Sequence, residues 1–224
     1  MYSTPDSPQR ATSAEATPLP RNGGVDERTM KAWREWLGAL TTDAEAALAA
    51  ALAYEQLDGE GRDSWIDALA EDADQAAVPR FAAYAPLLAV ELNDARRMRI
   101  RHAIGDQQPE LIPNRKPCAF AGQLPKNVRL SVVVRPLYLD FVQVVACAFR
   151  PGIGFDWVKH DPIVGGTAAP KAGDALAGAL LEKAPLKAVI DELAHTVLAH
   201  QRHYDALPEA LRTLADLFVP SVDA

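Results

Sequence analysis

The densest group of reactive side chains lies at Asp156-Trp157-Val158-Lys159-His160-Asp161-Pro162, where two carboxylates, an imidazole and an amine fall within seven residues. An imidazole titrates near neutral pH, so His160 has the properties of a general acid or base. Asp156 or Asp161 would then be the carboxylate that orients it. In a strand, Asp156, Val158 and His160 share one face, with Trp157 and Lys159 on the other. The plainer reading is an ordinary hairpin or turn, because Asp-Pro commonly starts one. Asp156 and His160 could supply two ligands to a metal, but no third ligand is evident nearby, so no metal is expected.

Arginines form the second group: Arg96, Arg97, Arg99 and Arg101 beside His102, and farther along Arg135. A guanidinium donates a planar fork that suits phosphate and carboxylate. Arg97, Arg99, Arg101 and Arg135 are therefore the candidate anion- or partner-binding residues. As a strand, the 97–101 stretch lines one face with arginine. As a helix capped by Asp94 and closed by Gly105, it spreads them around the surface. The competing reading is a solvated face that pairs with acidic helices, Glu71, Asp72 and Asp74 included.

Charge is unevenly distributed. Residues 96–150 carry ten basic and three acidic side chains, residues 25–95 carry five and fifteen, and the whole chain has a net charge of −7. Such a field points to an anionic partner or to docking of one section on the other. The acidic total and the lack of aromatics between the arginines argue against nucleic acid as a partner.

Other motifs carry less. His195, His200 and His203 fan out around one predicted helix, and no pair has the four-residue spacing of a zinc-protease helix. His200 flanks the apolar stripe of that helix and reads as a core-edge histidine with a hydrogen-bond partner. Asp58-Gly59-Glu60-Gly61 lacks the ligand pattern of a calcium loop and reads as a helix–helix turn. Gly152-x-Gly154 and Gly165-Gly166 fit neither a dinucleotide fingerprint nor a phosphate loop, so no cofactor is expected. Cys118 and Cys147 read as two separate thiols.

These groups need elements to hold them. At 49% apolar and 24% charged residues, the composition is that of an ordinary soluble protein. Residues 1–24 are rich in Pro, Ser, Thr and Ala and read as a disordered tail. Met30, Trp33, Leu37 and Leu40 fall on one helical face, an alanine-rich helix follows from about Ala44, and Asp63 or Ser64 can cap the next. A fourth helix follows Pro79, with Pro86 expected to kink or divide it. Residues 106–126 read as loop. Val128 to Val134 alternate as a strand, Leu137–Phe149 favours strand, and Phe155 to Lys159 could be a third. Asp174 to Lys183 reads as a short helix, Pro185 opens a long one, and Pro208 opens the last.

The expected fold is α+β and predominantly helical, with helical N- and C-terminal sections around a small antiparallel β-meander. After the tail at 1–24, residues 25–224 form one domain: helical to 105, loop and β from 106 to 166, helical from 167. No apolar leader or membrane-spanning run is visible, so a cytoplasmic location is the default. The expected function is that of a non-catalytic protein-binding or scaffold module using a basic sheet edge. One rival is an enzyme acting on an acyl or phosphoryl substrate with His160 as acid/base. Another is a subunit of a homo-oligomeric assembly, so a protein partner or self-association is expected.

Overall fold

The apolar spacings of the first section become five helices. The structure, a computed structural model, describes residues 27–72, 78–105, 116–204 and 206–212. The expected tail, Asp74 and most of the segment between the helices and the sheet lie outside these. Helix α1 (Glu27–Ala39) and the turn after it bury Leu37 and Leu40. Helix α2 (Ala44–Glu55) starts where the Asp43 side chain accepts the Glu45 N–H.

Helix α3 (Gly59–Asp72) begins earlier than expected. The Asp58 carboxylate accepts the Gly61 N–H at 2.8 Å, so the two glycines form a capped first turn rather than a break. Helix α4 (Arg80–Val90) runs through Pro86 undivided. Burial of Tyr84 and Leu87 on either side of it outweighs one lost backbone hydrogen bond. Helix α5 (Asp94–Ile104) is capped by Asn93 and closed by Gly105 at a φ of 65°.

The sheet follows as a meander of four antiparallel strands: β1 (Cys118–Leu124), β2 (Val128–Pro136), β3 (Phe141–Arg150) and β4 (Gly154–Gly165). Three expectations change here. Residues 118–124, read as loop, are a strand. Phe155–Lys159 is part of a twelve-residue strand. Asp161-Pro162 lies inside that strand, not at a turn. Strand β4 is an edge of the sheet, where a missing N–H is tolerated, and the register shifts beside Pro162.

The expected helix at Asp174–Lys183 is also overturned. It forms a two-stranded ribbon, β5 (Ala175–Leu176) with β6 (Ala179–Leu180), and then β7 (Glu182–Ala184), which pairs with β1 as the other edge. Ala177 and Gly178 both take positive φ, 51° and 90°, the requirement of a tight two-residue hairpin turn. Pairing to β1 and burial of Ala179 and Leu181 override the helix propensity of an Ala-Leu sequence. Helix α6 (Leu186–His203) completes the order. Pro208 leads into a 3₁₀ turn at 209–212, and the rest of the expected last helix lies outside the described residues.

The result is an α+β fold with six helices and a five-stranded antiparallel sheet among the described residues. Alternation along β3 sorts the sheet into two faces. Val142, Val144 and Ala146 face a back layer closed by Ala179 and Leu181. Phe141 points the other way, into the core of α1–α5. Val145, Cys147 and Phe149 join Val189 and Leu193 beneath α6. The helical section and α6 thus cover opposite ends of one face, and Gln143 lies between them.

Candidate functional site

Gln143 marks a polar row across that face. Its partner in the β2 ladder is Arg135, and on its other side His160 of β4 lies 2.9 Å away, Nε2 to Nε2. An amide nitrogen only donates, so the imidazole Nε2 accepts and is unprotonated in this arrangement. Burial lowers the His160 pKa below its ordinary value, with Asp161 acting weakly in the opposite sense. His160 is therefore a neutral acceptor at neutral pH.

The imidazole lines a cleft of about 530 Å³ between the helical section and β4. Leu52 and Glu55 contribute from the end of α2, and Arg62 from α3. Val90 and Leu92 come from the end of α4 and the residues after it, Pro162 from β4, and Glu209 and Ala210 from the turn after α6. Leu52 and Leu92 stand at 42% and 40% exposure, unusual for large apolar side chains beside a cavity. Arg62 is engaged from behind: it donates to the Glu55 and Leu57 carbonyls, stacks over Tyr54 and lies 3.6 Å from Glu91. Glu209 pairs loosely with exposed Arg212. The Glu55 carboxylate has no ion-pair partner among the described residues.

Of the residues singled out from the sequence, Arg135 and His160 share this row and the rest disperse. A register shift takes up Asp156, so Phe155 and Val158 both face α6 and the simple alternation fails there. Asp156 pairs instead with Arg150 at 3.2 Å. Asp161 pairs with Lys159 at 3.1 Å, and neither carboxylate hydrogen-bonds to His160. Because α5 is a helix, Arg97, Arg99 and Arg101 do not line one face. Arg97 donates to the Leu88 and Glu91 carbonyls, closing the end of α4. Arg99 pairs with Asp63 and Asp67 of α3. Arg101 is exposed on the last turn of α5.

Sequence reasoning missed Glu91. Its carboxylate is fully buried yet receives the Tyr54 hydroxyl at 2.6 Å, the Arg96 Nε at 2.7 Å and the Asn93 N–H at 2.7 Å. Burial alone would raise its pKa, but these donors outweigh it and hold the carboxyl below its ordinary range. Burial, reinforced by Glu91, pushes the Tyr54 phenol well up. The available signal was a Glu closing an apolar helix five residues before an Arg, a pattern too common to single out.

The other histidines have structural places. His200 accepts the Phe155 N–H at Nδ1 and donates from Nε2 to the Ala206 carbonyl, each at 3.1 Å, as a core-edge histidine should. Gly154, at a φ of 142°, permits this approach: a Cβ there would lie 2.6 Å from His200 Nδ1. His195 donates to the Asp191 carbonyl beside a shallower hollow bridged by Arg129 and Glu192. Cys118 and Cys147 are unpaired and lie in opposite layers of the sheet, and burial pushes the Cys147 thiol up to about 12.

No protein-family model, curated protein or solved structure matches this chain. No described helix is long and apolar enough to cross a membrane.

Proposed function

We propose that the chain is a non-catalytic binding module. Its cleft beside His160 takes an apolar side chain of a partner protein, with a neighbouring lysine or arginine meeting the rim. The supporting observation is the make-up of that cleft: aliphatic walls from Leu52, Val90, Leu92 and Pro162, with the acidic residues Glu55 and Glu209 in the same lining. Arg62 does not neutralise them, because it is turned toward Glu91 and backbone carbonyls.

The basic sheet edge expected from the sequence loses support for the same reason. Arg96 and Arg99 pair with the helical section, Arg129 with Glu192, and Arg150 with Asp156. Edge strand β4 is a poor template for an added strand, since its register shifts, Pro162 lacks an N–H, and Lys159 is exposed. The catalytic reading of His160 has less behind it. Its hydrogen-bond partner is an amide, and no nucleophile or orienting carboxylate reaches it among the described residues.

Selection of displayed random peptides on the full chain tests the proposal. The expected winners pair Leu, Phe or Met with Lys or Arg. Their affinity should fall at least about tenfold in Leu92→Asp, a loss of about 1.4 kcal/mol, and should weaken with added salt. Enrichment of acidic peptides, or of peptides indifferent to Leu92→Asp and Glu55→Lys, would overturn it.

A further inference from the structure

A side-chain amide has a donating end and an accepting end, and its neighbours decide which end faces which. Gln143 is buried, at 5% exposure, with Arg135 as its partner in the β2 ladder and His160 on its other side. A guanidinium only donates, so the amide oxygen belongs on the Arg135 side and the amide nitrogen on the His160 side. That order matches the 2.9 Å contact between Gln143 Nε2 and His160 Nε2. A neutral imidazole whose Nε2 accepts carries its ring proton on Nδ1. Gln143 therefore fixes a tautomer as well as a ring position.

The Nδ1 proton is not used inside the fold. Nδ1 meets no hydrogen-bond acceptor among the described residues, and it is not one of the side-chain atoms sealed from solvent without a partner. The space open to this imidazole is the cleft that it lines.

The cleft limits what can meet this donor. Glu55 and Glu209 share the lining, and Asp161, paired with Lys159, adjoins His160 along β4. These carboxylates disfavour an anionic acceptor. The aliphatic walls of Leu52, Val90 and Leu92 exclude water once they are covered, so an N–H left there without an acceptor weakens binding. A neutral main-chain carbonyl satisfies both conditions. We infer that His160 Nδ1–H is the specificity-determining donor of the cleft, hydrogen-bonding to a peptide carbonyl next to the partner's apolar side chain, with Gln143 as the positioning residue that keeps the proton on Nδ1. The contact selects an apolar side chain carried on a peptide backbone over a free aliphatic chain of the same size. It rests on the binding reading above, whereas the tautomer does not.

Long-range proton–nitrogen NMR on the full chain at neutral pH reads the tautomer directly. The expected result is a protonated Nδ1 and a bare Nε2 at His160, and a proton on Nε2 would overturn the inference. Calorimetry with one selected apolar-basic peptide reads the contact. Asparagine at position 160 places an amide N–H near the site of the imidazole Nδ1, whereas glutamine places one near Nε2. His160→Asn should therefore bind within about twofold of wild type, and His160→Gln about tenfold more weakly. Equal loss in both variants, or none in either, would overturn the carbonyl contact while a dependence on Leu92 still upholds the binding reading. Should no peptide depend on Leu92, both readings fall. If a variant unfolds, replacing each peptide amide in turn by a trans-alkene tests the acceptor on the wild-type chain. One amide beside the apolar side chain should then cost about tenfold, and a cost under about twofold at every position would refute the contact.

Discussion

Two glutamates in the helical section touch one arginine and have opposite surroundings. Glu91 is sealed beneath α2, α4 and α5 and receives hydrogen bonds from Tyr54, Arg96 and Asn93, with Arg62 at 3.6 Å. Glu55 lines the cleft, and Arg62 meets only its backbone carbonyl, at 2.6 Å. The first charge is saturated by the protein, so its role is to fix how three helices meet. The second retains its capacity for a cation. The two histidines repeat the contrast: His200 has both ring nitrogens engaged inside the fold, while His160 has Nε2 held by Gln143 and lines the cleft.

The contrast sets the order of expected effects. Glu91→Ala should cost the most, about 3–5 kcal/mol, because it leaves the buried Tyr54 hydroxyl without its acceptor and the half-buried Arg96 without its counter-charge. Urea denaturation measures it, and a loss under about 1 kcal/mol would mean that the node is not the helical section's anchor. Gly154→Ala comes next, at about 1–3 kcal/mol from its backbone conformation alone, with the approach to His200 adding to it. The same assay reads it, and peptide binding per folded molecule should stay unchanged in Gly154→Ala.

His160 predicts a pH dependence. Its folded pKa lies below the ordinary 6.5, so the unfolded chain takes up the proton first as pH falls. This contribution is intact above about pH 6.5 and is lost below it, by at most about 1.4 kcal/mol per pH unit. His160→Gln should flatten that part of the stability profile, and an unchanged slope would show that the imidazole is as solvated in the folded protein as in the unfolded one. The smallest effect belongs to Arg99→Ala. Its pairs with Asp63 and Asp67 are surface-exposed, so the loss should stay under about 1 kcal/mol.

The sequence was informative where periodicity and burial coincide. The Trp33, Leu37 and Leu40 stripe, the alternation of Val128 to Val134 and the β-branched run at Val142–Val145 became the elements they suggested. It misled where long-range pairing decides. Residues 182–184 became a strand because β1 offered an edge, 175–180 folded back on themselves as a hairpin, and 118–124 looked like loop because its prolines lie just outside the strand. The site was half legible. His160 and Arg135 were visible as chemistry, and Gln143, the ladder partner of Arg135 and the hydrogen-bond partner of His160, links them. The cleft walls come from α2, α4 and the turn after α6, segments whose meeting no local pattern encodes. The arginines of α5 looked available because their partners, Asp63, Asp67 and the α4 carbonyls, are fixed only by packing of the helices.

The sharpest test of the acidic-rimmed cleft is the affinity of one selected peptide for two charge reversals, measured by calorimetry at low and physiological salt. Glu55→Lys should weaken binding about tenfold or more and remove its salt dependence, while Arg101→Glu, on the exposed last turn of α5, should leave both unchanged. Loss of binding in Arg101→Glu with Glu55→Lys unaffected would contradict the cleft and return the binding surface to the basic block.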